Sequence, residues 1–377
     1  MASNSPGLSQ ELSPRQLAWM RFKRHRLAFY SGLFLIALYA LTAICEFVSP
    51  YTPQERNIRA VNAPPMQIHF FTAAGEFQIR PFVYGLKMTI NDDTWMREYA
   101  EDTSVQYELG FLVEGAPYKL FGLIPNRTHL FGVRKDTDAS AGGYVHLFGT
   151  DSLGRDLFSR ILYGGRVSLS IGLLGVALTL FLGMLLGGFA GYLGGWVDAL
   201  VQRSIEVLQS MPTLPLWMAL SAALPAVWSP LTAYFGVTII LSLFGWTTLA
   251  RQVRGRFLAM RDDDFVVAAR LMGASDTRIV FRHMLPSFSS HIITTATLAV
   301  PAMILGETAL SFLGIGLRAP VVSWGVLLQQ AQNYQVIVMT PWLLLPGLCI
   351  VLTVIAFNLV GDGLRDAADP YNAQGAK

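Results

Sequence analysis

Apolar residues in this chain gather into runs longer than a soluble core needs. The hydrocarbon core of a bilayer is about 30 Å thick and takes roughly 20 residues of helix, whose backbone groups all pair internally. Six stretches approach that length: 27–48, 167–192, 205–226, 233–250, 292–312 and 343–360. The third contains Pro212 and Pro215, which soften its limits. The long stretch 49–166 is different. Within it, 67–79 and 118–133 show the period of two that marks strands, with Asn126 and Gly132 as turn signals. The pattern predicts an all-α membrane protein of six transmembrane helices with a small, partly β external insert.

Lys and Arg in short loops are retained on the cytoplasmic side of a span. Arg21, Lys23, Arg24 and Arg26 precede the first run, and no small-residue cleavage site follows it, so it is expected to stay as a helix rather than leave as a signal peptide. Arg251, Arg254, Arg256, Arg261, Arg270, Arg278 and Arg282 lie between the fourth and fifth runs, whereas 316–341 carries only Arg318. Six spans with both termini cytoplasmic satisfy all of this. The expected organisation is a cytoplasmic segment 1–26, a first span 27–48, an external insert 49–166, a membrane core 167–363 with a cytoplasmic loop 251–286, and a cytoplasmic tail 364–377.

Composition narrows the function classes. Charged residues make up 14% of the chain against about 25% in soluble domains, and 53% are hydrophobic. A net charge of +3, concentrated in loops, reads as membrane orientation and not as a nucleic-acid surface. Cys45 and Cys349 both sit in apolar runs, where they are expected to pack as small hydrophobes. No G-x-x-x-x-G-K-[ST], H-E-x-x-H, C-x-x-C or G-x-S-x-G pattern occurs, so the chain offers no recognisable phosphate cradle, metal pair or exposed nucleophile. It is expected to bind no cofactor and to draw its energy from a partner.

Three features carry candidate function. Gly183, Gly187, Gly191 and Gly195 recur every four residues and let another backbone approach, within the chain or across a subunit interface. Asp262, Asp263 and Asp264 open a helix whose dipole favours carboxylates; Gly273 ends it, and Ser275 or Asp276 caps a second helix expected to stop before Pro286. Phe265, Ala268, Ala269 and Met272 form an apolar strip that fits a groove on another protein, although a helix lying on lipid has the same pattern. Glu307 interrupts the fifth run, where facing lipid costs on the order of 2.5 kcal/mol or more. It either lines a wet pathway or accepts hydrogen bonds from a neighbouring helix. His291 and Glu307 are too isolated to make a catalytic site.

Val267-Ala268-Ala269 with Gly273 and Leu285-Pro286 resembles the signature loop of bacterial ABC-importer permeases, E-A-A-x-x-x-G followed by Leu-Pro, with Val267 where Glu is usual. Gly149-Thr150-Asp151-Ser152-Leu153-Gly154-Arg155-Asp156-Leu157-Phe158-Ser159-Arg160 resembles the segment leading into the second span of oligopeptide and dipeptide permeases of the C type. The stretch 307–314 with Ser323-Trp324-Gly325, and 358–366 with Asp369-Pro370, is similar to that family's last two spans. The resemblance runs from about Phe22 to Pro370, interrupted by the insert, which is similar to the Yej-type member associated with peptides and the peptide-nucleotide antibiotic microcin C.

The resemblance implies a type I ABC importer permease fold, multi-pass in a bacterial inner membrane. It implies a homologous second permease subunit, two ATPase subunits or a fused double ATPase, and a periplasmic substrate-binding protein. ATP and Mg would be held by the ATPases, so this chain would not itself be an enzyme. Ala268, Ala269, Gly273 and Ala274 would dock into the ATPase, and Arg270 and Arg278 would pair with its acidic rim or remain solvated. Glu307 would lie beside the pathway. The insert would recognise the binding protein or close an outer gate, or serve as a solvated cap. ABC import of a non-peptide solute, and a secondary transporter with inverted repeats, are the rival readings.

Overall fold

The computed structural model describes residues 14–92, 97–134, 143–225 and 227–368. Trp95, Asp369-Pro370 and the termini 1–13 and 369–377 lie outside the described residues. The chain begins with α1 (Pro14–Arg24), α2 (Arg26–Ala43) and α3 (Cys45–Val48). A sheet of β1 (His69–Phe71), β2 (Phe77–Ile90), β3 (Arg97–Leu120) and β4 (Ile124–Val133) follows. Then come α4 (Leu157–Leu193), α5 (Gly195–Gln209), α6 (Thr213–Ala222), α7 (Pro230–Met260), α8 (Asp264–Leu271) and α9 (Asp276–Arg278). The chain closes with α10 (Leu285–Ser287), α11 (Ser289–Phe312), α12 (Trp324–Gln329), α13 (Tyr334–Met339) and α14 (Leu345–Ala368).

Among the described residues five helices are long and apolar enough to cross a membrane: Arg26–Ala43, Leu157–Leu193, Pro230–Met260, Ser289–Phe312 and Pro341–Ala367. The expected third span, 205–226, is not one helix. α5 ends at Gln209, Pro212 is extended at ψ 124°, and α6 has only 10 residues. Proline lacks the N–H of the helical ladder and pushes its predecessor out of the helical region, which explains the break. Two other limits also move. α4 begins at Leu157, inside the expected insert, because the Asp156 carboxylate caps it by accepting from the Ser159 N–H at 2.8 Å. α7 continues to Met260, so 251–260 of the expected loop is still helix.

The glycine row of α4 meets α7, which makes its role a packing one within the chain. A Cβ on Gly183 would lie 2.8 Å from Leu249, one on Gly191 2.7 Å from the Arg254 carbonyl, and one on Gly187 would strike the Ala250 backbone. Gly195 lies past the end of α4, at the start of α5. Because Ser242, Leu249 and Arg254 meet Gly175, Gly183 and Gly191 in the same order, α4 and α7 run parallel. α11 runs the other way, with Ile304 and Val300 against Gly172, and Glu307 against Ser168. α8 and the sheet therefore sit at opposite ends of the bundle. Its core is built from α2, α4, α7, α11, α12 and α14 around Ile171, Leu241, Ile304 and Trp324.

The sheet is antiparallel in the order β1-β2-β3-β4. β3 spans 24 residues and shifts register at Tyr84/Gly85 against β2 and at Glu114/Tyr118 against β4. Such bulges break the period of two, which hides most of β3 from pattern reading. Asn126 and Gly132, expected at turns, lie inside β4; the turn is at Phe121 and Gly122. Gly132 is needed where it stands because a Cβ would come within 2.8 Å of Val113 across the pair.

Candidate functional site

At the end of α7 the chain turns through Asp263 into α8. The Val266 and Val267 N–H groups donate to the Asp263 carbonyl at 2.9 and 3.1 Å. α8 is rooted by Val266 and Ala269, both buried among Phe257, Met260, Ile279, Val280 and Met284. Its outer face carries Phe265, Ala268, Leu271 and Met272, the last two 84% and 80% exposed. Ala269, expected on the docking strip, is instead part of the root, and Leu271 takes a place on the face. Spacing leaves Ala269 on the border of the two faces, four residues from Phe265 and three from Val266, and the packing of Phe257, Met260 and Ile279 puts it on the root side.

The end of α8 is a Schellman motif. The Ala274 N–H donates to the Ala269 carbonyl at 3.1 Å and the Gly273 N–H to the Arg270 carbonyl at 3.0 Å. Gly273 has φ +78° with open space where a Cβ would be, so glycine is there for its backbone and not for room. Ala274 is half-buried against the root. Arg270 turns back, its guanidinium 5.4 Å from the Tyr192 ring centre at the end of α4, and Arg278 is exposed in α9. The second helix does not stop before Pro286. It widens into a π-helical turn, Ile279–Met284, and Pro286 is the second residue of α10. The wider turn, with the Leu285 N–H bonded to the Val280 carbonyl, accommodates a ring that has no N–H to give.

Beside α8, Arg254 of α7 donates from Nε and Nη2 to both oxygens of Asp198 in α5, the second bond at 2.5 Å. The hydrogen bonds from Arg254 hold the Asp198 carboxyl below its ordinary range. A cavity of about 650 Å³ opens among α4, α7, α11 and α14, lined by Thr248, Gln252, His291, Thr294 and Arg365 among others. Glu307 does not line it. Its carboxylate is fully buried and accepts from Ser168 at 3.0 Å, Ser311 at 2.8 Å and Ser323 at 2.7 Å. The same three hydroxyls accept from the Trp324, Leu317 and Val326 N–H groups, so Glu307 binds α4, α11 and the start of α12 into one network.

The opposite end of α4 carries polar groups that sequence reading used only as a resemblance. Asp151 accepts from the Leu153 and Arg155 N–H groups at 2.8 and 3.0 Å, from Arg155 Nε at 2.7 Å and from buried Arg160. Burial alone would raise its carboxyl, but the Arg160 charge and these donors outweigh burial and hold it below its ordinary range. Thr150 accepts from the Ala63 N–H at 2.8 Å and donates to the Ala60 carbonyl. Asp156 lies 3.0 Å from His146 Nδ1. Nearby, Arg166 forms a two-pronged bond to Glu46 and donates to the carbonyls of Thr42 and Ala43 at 3.2 and 3.1 Å, covering the end of α2. The spacing Asp151 to Arg155 is the one trace of this clasp legible beforehand. Among the described residues no group of three or more His, Cys, Asp or Glu is placed to hold a metal.

The family model for the inner membrane component of binding-protein-dependent transport systems matches residues 183–372, which include α8, the Schellman turn and Glu307. The chain belongs to that family. A second model, the N-terminal TM domain of oligopeptide transport permease C, matches 13–65, and the sheet falls between the two matches. This inner membrane component is 41% identical to a dipeptide transport system permease protein of Alkalihalophilus pseudofirmus, over 60% of this chain and 72% of that one. It is 38% identical to the oligopeptide transport system permease protein of Bacillus subtilis, over 60% and 72%. It is 40% identical to a glutathione transport system permease protein of Pectobacterium atrosepticum, over 60% and 73%. Among solved structures it is similar to a chain of the MetNI methionine ABC transporter at a TM-score of 0.41 and 17% identity, covering 55% of this chain and 97% of that one.

Proposed function

We propose that this chain is the permease subunit of an ATP-driven importer that moves peptides or peptide-like compounds from periplasm to cytoplasm. The observation that carries the reading is α8: a short helix rooted by Val266 and Ala269 that holds Phe265, Ala268, Leu271 and Met272 outward at one end of the bundle. The reading makes α8 the knob that docks into an ATPase subunit, with Gly273 and Ala274 fixing its angle. Arg278 meets the ATPase rim, and Arg270 braces α8 on α4. ATP and Mg belong to the ATPases, separate or fused. A homologous permease completes the pathway, to which this chain contributes the cavity of Gln252 and His291, with Glu307 as its brace.

Topology follows the same reading. The parallel run of α4 and α7 means the α5–α6 connection returns the chain along the bundle, which supports a sixth, broken pass. Both termini are then cytoplasmic and the sheet periplasmic. Reporter fusions after Asn126 and Gln330 should read as external and one after Arg261 as cytoplasmic; an external reading at Arg261 overturns the coupling assignment. Peptide as cargo rests on the dipeptide, oligopeptide and glutathione relatives, and microcin C on the long segment between the first two spans. The deciding experiment is affinity purification from the native membrane, with ATPase activity measured with and without the co-purifying binding protein and di- to hexapeptides. Absence of an ATPase from the purified complex would sink the reading.

A further inference from the structure

The hairpin between β3 and β4 ends in a tip that no other part of the described chain covers. Phe121 is 56% exposed, Leu123 82% and Ile124 59%. The turn is tight: Phe121 has φ 53° and Gly122 φ 74°, and the Leu123 N–H donates to the Leu120 carbonyl at 3.1 Å. Both φ values lie in the left-handed region, which hairpin turns facing water give to Asn, Asp or Gly. A bulky residue there is strained. This hairpin spends the position on an exposed aromatic ring.

The root of the hairpin fixes where that ring goes. His129 places Nδ1 2.5 Å from the Ser49 carbonyl oxygen, just past α3, and Nε2 3.0 Å from that of Ala116. Leu130 packs with Cys45 and Leu162, and the Phe131 and Phe158 rings meet at 5.5 Å. The hairpin thus leaves the protein beside α3 and the first two turns of α4, which leads into a candidate span. Exposed Lys119 and Arg127 flank the tip. Apolar side chains between two long basic ones suit the boundary between acyl chains and lipid phosphates.

We propose that the 119–127 hairpin tip is a lipid anchor. Phe121, Leu123 and Ile124 enter the leaflet on the sheet's side of the membrane, and Lys119 and Arg127 pair with lipid phosphates. The inference rests on α2 and α4 being spans and on no assumption about cargo or ATPase. Its test uses the full chain with its co-purifying subunits in vesicles of mixed zwitterionic and anionic phospholipid, in a Cys45→Ala, Cys349→Ala background. A spin label on Leu123→Cys should collide with oxygen over a water-soluble nickel chelate at a ratio several-fold above that of a label on Thr89→Cys, in β2 opposite Glu98 at the far end of the sheet. Equal, nickel-dominated ratios overturn the proposal. A label shielded from both reagents, with or without added binding protein, overturns it in favour of a protein partner. Phe121→Asn with Ile124→Thr keeps the turn by centring it on Asn-Gly, and the label at 123 should then become nickel-accessible. Retained oxygen preference in that variant shows that the apolar tip is not what holds the hairpin, and also overturns the proposal. All readouts are independent of transport, so loss of uptake cannot be mistaken for loss of the anchor.

Discussion

The two ends of α4 use charge and apolar surface in opposite ways. At its start, the 149–160 clasp turns Asp151, Asp156 and Arg160 inward, each with partners, and Gly154 has a backbone carbonyl where a Cβ would be. At its other end, α8 turns Phe265, Leu271 and Met272 outward, and Gly273 has only space around it. The clasp pairs its carboxylates with its own donors, although buried Arg160 Nε and His146 Nε2 have no hydrogen-bond partner, so its residues answer to folding. The α8 face is left uncovered by its own chain, which is why the proposed function assigns it to a partner. The motif rich in charge is the self-contained one, and the exposed apolar face belongs to the helix of a plain Ala-Ala-x-x-x-Gly.

This contrast breaks first at Asp151. Asp151→Ala leaves buried Arg160 without its carboxylate, a change that costs about 3–5 kcal/mol. Thermal unfolding of the detergent-solubilised complex should show a large loss of folded protein; a small loss would mean that the clasp is not structural. Because the folded Asp151 carboxyl lies below its unfolded value, its contribution is full above the ordinary carboxylate range and is lost as pH falls through the folded value. Acid melts of wild type should therefore lose stability that Asp151→Ala has already lost.

Glu307→Gln comes next. The amide keeps the size but has one acceptor oxygen for three hydroxyl donors, a cost of about 1–3 kcal/mol. Neutral and cationic peptides should then be taken up with equally reduced rates and an unchanged ratio. Preferential loss of cationic peptides would make Glu307 a pathway carboxylate.

Gly273→Val forces a β-branched residue to positive φ, at a local cost of about 1–3 kcal/mol with no clash to add. Membrane insertion should be normal while ATPase co-purification falls, and Gly273→Asn should restore much of it. Normal co-purification with Gly273→Val would remove the bend from the coupling assignment. Met272→Ser sharpens the comparison at its weakest end, since a substitution at so exposed a site should move stability by only about 0.5 kcal/mol or less. Its effect should appear in ATPase association alone; a shift in melting temperature with unchanged association would show the face to be packed within the chain.

Much of the bundle was legible because span length and glycine spacing act over one helix at a time. Five of six apolar runs are helices, and Gly273 ends α8 as its position after an apolar turn requires. The face of α8 was legible only in part: the sequence shows that Ala268 and Ala269 are both small and apolar, and only the neighbours contributed by α7 and the π-helical turn make Ala269 root and Ala268 surface. β3 stayed hidden because its bulges break the alternation that marks a strand.

Local rules, then, were sufficient for much of what a segment becomes: apolar length marks five spans and Gly273 stops α8, while the break at Pro212 and the start of α4 at Asp156, though local in cause, emerged only from the structure. What Glu307 and Asp151 do, and which helix the glycine row meets, was decided by tertiary structure alone. Their partners lie far along the chain, 139 residues away in the case of Ser168 and Glu307. A buried carboxylate is stabilised by whichever donors packing brings to it, and no periodicity in the sequence encodes that meeting.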